Sequence, residues 1–387
     1  MRSCQFILML ALIAGLFVSC SKPPTQGPAV QTPSVGAPTP AAKAGWEAEW
    51  EKTLAGARRE GRVVVYGPPG ADTRQALTEQ FSKTYPFIQV EYVGATGAAQ
   101  VAKVKAERRA GLHIVDLIVS GTTTITAGLL DVALPVEPIL LLPEVKEPKN
   151  WLDGKFHYAD KAGKYNFVFS TRTLQALVHN TNAIDSRRIQ ELAYWDLTKP
   201  EFKGKIITRD PWTSGPGQSA AMFYFVNPKL GPDFIKALAK NDVLVTRDDR
   251  QVIEWTSLGR AAVGLAPSTP AITEFIIKGG FPNVKPRAYL KEGAMSTAGF
   301  GSLALPQDYP HENATKVYVN WLLSKEGQLA WAKATGTPSR RTDVPTDFLD
   351  QDVLFKPGID YINTYSEEFQ ETREKMMPLI FEVFGRG

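Results

Sequence analysis

The sequence predicts an α/β fold of doubly wound sheets carrying helices on both faces. Short apolar runs rich in Val and Ile alternate with helix-period stretches from residue 46 onward, the rhythm of strand–helix–strand units. Several of these runs end in corners of Gly, Ser and Thr that lead straight into the next helix. About 340 residues follow an N-terminal tract rich in Pro and Ala, enough by size for two domains.

The first helix places Trp46, Trp50, Leu54 and Ala57 on one face, and Gly61 stops it. Arg62-Val63-Val64-Val65-Tyr66 reads as a buried parallel strand that turns at Gly67-Pro68-Pro69-Gly70. Asp72 is the expected cap of the next helix, which carries Ala76, Leu77, Phe81 and Tyr85 and ends at Pro86. A strand over 88–93 turns at Gly94-Ala95-Thr96-Gly97 into a helix spanning about 98–109. A third strand, Asp116–Val119, closes on Ser120-Gly121-Thr122.

A second region begins near Leu177. Ile206-Ile207-Thr208 reads as a strand, followed by the loop Asp210–Gly217 and a helix with Ala220, Ala221, Phe223 and Tyr224. Val243–Val245, Ala262–Leu265 and Ser302–Leu305 are further strands. Asn313 is the expected cap of a helix with Val317, Tyr318, Trp321 and Leu322 inside. Ser324 starts another that ends at Gly336.

Charge excludes some partners. The chain has 44 Lys and Arg against 40 Asp and Glu, intermixed and without a polybasic run, so nucleic acid is not expected. At the N-terminus, Arg2 precedes an uncharged stretch from Gln5 to Ser19 that is too short to span a bilayer comfortably and runs into Cys20. It resembles a bacterial lipoprotein signal, although Leu16 lies one place earlier than usual and Phe17 takes its slot. An ordinary signal peptide and an uncleaved anchor are the alternatives. The expectation is a signal over 1–19, a lipidated Cys20, and a tether over 20–45 that is extended and reaches up to about 70 Å. With Cys20 acylated, the folded part has neither disulfide nor thiol chemistry.

A family resemblance covers nearly all of residues 58–345. It rests on the Val63–Tyr66 strand, Tyr85-Pro86, the Gly94–Gly97 turn, Ala106-Glu107-Arg108, Asp116-Leu117, Asn180-Thr181, Trp195-Asp196-Leu197 and Phe202–Ile206. Thr213-Ser214-Gly215, Asn320–Gln328 and Gly336, Pro338 and Arg340 continue it. In order and spacing these resemble the extracellular solute-binding proteins of ABC importers, specifically the type II group that includes ferric-iron binders. The resemblance implies two α/β lobes with ligand clamped between them and a membrane permease as partner. Residues 46–178 and 289–345 would form the first lobe and 179–288 the second, with C-terminal helices from 346–387 packed on the second. The outward crossing would lie at 177–181 and the return at 285–301. A monomer without cofactor is expected.

Candidate ligand contacts follow from the corners. Thr96-Gly97, Ser120-Gly121-Thr122 and Thr213-Ser214-Gly215 each stand between a strand and a helix, where free backbone N–H groups, hydroxyls and close backbone approach suit an anion. A plain helix cap is the other reading of each. Ser268, after the Ala262–Leu265 strand, continues the hydroxyl theme, and Trp212 could stack on a ligand ring or pack the hinge. Arg209 could pair with a ligand acid or sit in a salt bridge.

Ferric binders of this family typically place two adjacent tyrosines after a strand of the second lobe. This chain has no Tyr-Tyr pair, and His113, His157, His179 and His311 are scattered without metal-binding spacing. An organic or oxyanionic ligand is therefore expected, with ferric iron as the alternative. An exported hydrolase would need a nucleophile, base and orienter; the chain has no G-x-S-x-G elbow and no zinc-helix motif.

Overall fold

The computed structural model describes residues 45–385 apart from 175, 214 and 278. The signal run, Cys20, the tether and Ser214 lie outside the described residues. Among the described residues no helix is long and apolar enough to cross a membrane.

Following the chain, β1 (Arg62–Gly67), β2 (Gln89–Gly94), β3 (Leu117–Ser120), β4 (Ala133–Leu134) and β5 (Phe167–Val168) come first, then β6 (Arg172–Leu174). Next are β7 (Leu177–Asn180), β8 (Ile206–Arg209), β9 (Leu244–Thr246), β10 (Val263–Leu265) and β11 (Val284–Arg287). β12 (Tyr289–Leu290), β13 (Gly293–Thr297), β14 (Ser302–Pro306) and β15 (Tyr361–Asn363) complete the set.

They form three sheets. The first runs β2-β1-β3-β14-β4, with β5 also on β14; the second runs β11-β7-β10-β8-β9. Each mixes parallel pairs (β1 with β2 and β3; β8 with β9 and β10) with antiparallel strands that arrive from elsewhere in the chain (β14 on β3, β7 on β10). A small third sheet holds β12, β13, β15 and β6. Its members β6 and β13 carry the chain out of the first sheet and back again, and they pair with each other antiparallel at Leu174–Met295, Thr173–Ser296 and Arg172–Thr297. The segment expected to cross, 177–181, instead begins as β7 inside the second sheet. All four of its strand residues are buried, as a strand flanked on both edges requires.

The helices used below are α1 (Gly45–Glu60), α2 (Gly97–Arg109), α3 (Thr122–Gly128), α4 (Pro216–Val226), α5 (Gly231–Ala239), α6 (Glu312–Leu323), α7 (Lys325–Thr335) and α8 (Glu368–Phe384). Two expected caps move. The helical stretch after β1 starts at Gly70 without a side-chain cap, and Asp72 lies in its first turn, where its charge complements the helix dipole. Asn313 falls inside α6. Glu60, at the end of α1, does the capping by accepting from Asn313 N (3.1 Å) and Ala314 N (2.7 Å). Ser324 caps α7 as expected, taking Gly327 N at 3.2 Å, and Gly336 ends it in the left-handed region at φ 64°.

Each large sheet has its own core. In the first, Phe81 packs against Tyr318 and Trp321 with ring centroids 4.8 and 5.3 Å apart. In the second, Tyr194, Phe223, Tyr224 and Phe234 interlock, and α8 adds Met376 and Ile380. The start of α8 reaches back to the first lobe. There Glu367 N donates to Ala159 O (2.7 Å), Gln370 Nε2 to Thr126 Oγ1 (2.8 Å), and Lys161 pairs with Glu371. The last helix thus packs on the second core while its N-terminal end bonds to α3 and to the loop before β5.

Candidate ligand-binding cleft

The corners that end β1, β3 and β8, the strand β13 and the end of α7 converge on one cavity of about 960 Å3. Pro68 and Pro69 come from the turn after β1, Thr123 from α3, Gly215 and Pro216 from the start of α4, and Thr297 to Phe300 from the end of β13. Trp331, Thr335 and Thr337 close it from the end of α7, and Arg172 enters from β6. A side chamber of about 90 Å3 adjoins it and shares Thr123, Gly215, Thr297 and Gly299. That chamber is completed by Thr122, Gln218, Ser219, Tyr365 and Arg373. The setting is apolar walls with a few convergent polar groups, the ordinary make-up of a small-molecule site.

The electrostatics are set by two arginines. The Nε atoms of Arg172 and Arg373 are buried and have no hydrogen-bond partner among the described residues. Burial pulls the Arg172 guanidinium down to about 10 and lowers that of Arg373. Both remain cations at neutral pH and present planar donor forks suited to carboxylate or phosphate. At the start of α4, Pro216 occupies the first position, so the next N–H groups lack intrahelical partners beside Gly215. Glu274, the acidic residue of the main cavity, is exposed at its rim.

Tyr365 Oη lies 3.2 Å from His157 Nε2 at the edge of the side chamber. Burial raises Tyr365 to about 12, and burial together with the positive Arg340 and Lys155 lowers His157 to about 4. Both are therefore neutral at pH 7. Among the described residues no group of three or more His, Cys, Asp or Glu could hold a metal ion.

The residues expected from sequence fall in different places. Thr122 and Gly215 line the cleft. Gly121 caps α3 beside the carbonyl of Gly299. Ser120 is buried in the first sheet, where its carbonyl accepts from Ser302 Oγ at 2.9 Å. Thr96 caps α2 through its backbone, and Gly97 lies under Thr124, with room for no side chain. Trp212 packs on the second core and donates its Nε1–H to Gly385 O. Thr213 Oγ1 donates to Asp210 Oδ2 (2.6 Å), and Ser268 receives Ala271 N (3.3 Å) on its hydroxyl. Arg209 is paired with Asp249 at 3.1 Å. Sequence reasoning missed Arg172 and Arg373. A signal for the first existed: no other Lys, Arg, Asp or Glu occurs between Lys164 and Asp185.

A family model described as bacterial extracellular solute-binding protein matches residues 76–357. The chain belongs to that family. It is an exported solute-binding protein, not an enzyme, and its two-lobed α/β fold is that of type II periplasmic binding proteins. Among curated proteins, an uncharacterized protein of Haemophilus influenzae is 23% identical over 286 residues, 71% of this chain and 77% of that protein. Among solved structures, a Trichodesmium protein in complex with iron and citrate superimposes with a TM-score of 0.64 at 16% identity, covering 84% of this chain and 100% of that one. The apo ferric ion-binding protein A of Pasteurella haemolytica gives 0.62 at 17% identity, over 84% of this chain and 99% of its own. The binding protein AfuA of Actinobacillus pleuropneumoniae, with fructose-6-phosphate bound, gives 0.57 at 18%, over 85% and 100%.

Proposed function

We propose that this solute-binding component of an ABC importer captures a small organic or oxyanionic solute in the cleft between its lobes. Arg172 anchors the anion, and Thr122 and Gly215 contribute hydroxyl and close backbone contact. The carrying observation is Arg172, which lines the cleft, has no acidic partner among the described residues and carries a buried Nε without a hydrogen-bond partner there. An anion supplies the missing charge and hydrogen bonds together. Fructose-6-phosphate, bound in the similar Actinobacillus structure, is an organic anion, as is the citrate bound together with iron in the Trichodesmium one, which supports the anion reading and keeps iron as the alternative. In this reading residues 46–178 and 289–345 close against 179–288 over the solute, and the closed form of the monomer engages the permease. A lipid on Cys20 holds the body to the membrane through the 20–45 tether.

A thermal-shift panel of the full-length chain tests the anion reading, using carboxylates, sugar phosphates, phosphonates, ferric salts and polyamines. A ligand that binds the folded form alone adds about 2.7 kcal/mol at a hundredfold excess over Kd. The expected result is stabilisation by an organic anion that Arg172→Gln abolishes. Stabilisation by ferric ion alone, with a tyrosinate charge-transfer band, would support the iron alternative instead.

A further inference from the structure

Arg340, Arg341 and the partly buried Arg209 have acidic partners, while Arg108 and Arg287, also partly buried, donate to the carbonyls of Gln307 and Tyr289. Arg341 is clamped by Asp343 (2.8 Å) and Glu144 (3.1 Å), and Arg209 by Asp249 (3.1 Å). Arg340 lies 3.7 Å from Asp153. Arg172 and Arg373 differ: burial alone acts on their titration, and no acid among the described residues pairs with either. Both arginines are partly buried, and leaving a partly buried cation uncompensated carries a cost, so two such sites mark two places where a ligand brings negative charge.

Their positions are complementary. Arg172, on β6, lines the main cavity, whereas Arg373, on α8, lines the side chamber. The two spaces meet at Thr123, Gly215, Thr297 and Gly299, which line both. They are neighbouring spaces with an arginine in the lining of each and the hydroxyls of Thr123 and Thr297 in the lining of both. At about 90 Å3 the side chamber holds about three waters' worth of liquid, room for one carboxylate or phosphate group but not for the body of a metabolite. Glu274 does not neutralise this arrangement, because it stands exposed at the rim and water screens it.

Building on the anion reading above, we propose that the solute is an organic dianion, with two acidic groups on one small carbon frame. Arg172 takes one group in the main cavity and Arg373 takes the other in the side chamber. A monoanion leaves one of the two guanidiniums unsatisfied. Because α8 packs on the second core while Glu367 and Gln370 at its N-terminal end bond to Ala159 and Thr126, an acid held by Arg373 ties the ligand to the helix that joins these parts.

The test is calorimetric titration of the full-length chain with succinate, glutarate and adipate and, as matched monoanions, butyrate, valerate and hexanoate. One dicarboxylate length should bind at least about tenfold more tightly than its monoanion, since a charge-assisted bond is added. Arg373→Gln should cost the dicarboxylate far more than the monocarboxylate, Arg172→Gln should weaken both, and Arg373→Lys should recover part of the loss. Melting curves of each variant confirm folding. Equal affinity for mono- and dicarboxylates, with Arg373→Gln affecting both alike, overturns the dianion and leaves the anion reading standing. Binding of no carboxylate overturns the dianion, and a ferric salt or polyamine binding instead overturns the anion reading as well.

Discussion

Replacing Gly217 with alanine should destabilise the protein, although the same change in an open helix stabilises it. Gly217 lies in the first turn of α4, where that helix meets the loop after β8. A Cβ there would stand 2.2 Å from the carbonyl oxygen of Asp210 and 2.6 Å from that of Arg209. Both obstacles are backbone, so no rotamer change relieves them, and the helix end must shift by about 1 Å to restore ordinary contact. Helix propensity alone would favour alanine by about 1 kcal/mol. Overpacking of this kind costs about 1–3 kcal/mol, so the net effect is a loss of up to about 2 kcal/mol. Gly215 and Pro216 move with the helix end, and anion affinity should fall with them. Thermal melting and ligand titration of the same variant read both effects. A variant that melts higher than the parent and binds as well would refute the argument, because the helix would then have slack against the loop.

Asn320 is fully buried on α6, accepts from Leu141 N (2.7 Å) and Leu142 N (3.0 Å), and donates to Ile139 O and Lys316 O, both at 2.8 Å. Asn320→Ala strands two backbone donors and should cost about 3 kcal/mol in chemical denaturation. The depressed His157 gives a pH dependence of known sign: its folded form stays neutral while the unfolded ring takes a proton below 6.5. Stability should therefore be lost as pH falls from about 6.5 towards 4, and His157→Gln, tested in melts across that window, should flatten this part of the profile. Tyr365, Arg340, Lys155 and Asp153 are the groups acting on that ring. Cys20→Ser should release the protein from the membrane fraction, and mass spectrometry of the parent should find the Cys20 thiol acylated.

β1 and β3 were legible because each is a continuous apolar run buried on both faces, and β2 because its Val and Tyr residues alternate with Gln89 and Glu91 between Pro86 and Gly94. Ser324 and Gly336 were legible as helix ends for local reasons, a cap hydroxyl and a left-handed glycine. Asp72 and Asn313 were misjudged as caps because their helices are closed by groups the local sequence does not show. One begins at a bare Gly70, the other on the distant carboxylate of Glu60. The cleft shows the same limit more sharply. Thr122 and Gly215 stand at strand-to-helix corners, where sequence directs attention. Arg172 sits on a strand of three residues and Arg373 in the polar first half of α8, and only the tertiary fold brings them to neighbouring spaces.

The most direct measurement of the central claim is the side-chain Nε–H resonance of Arg172 in the full-length, nitrogen-labelled protein, identified by its loss in Arg172→Gln. The account predicts that the ligand giving the largest thermal shift moves this resonance, as a carboxylate or phosphate bound to the guanidinium changes the surroundings of its Nε–H. A ligand that stabilises the protein at saturation while leaving the Arg172 resonance unmoved would contradict it.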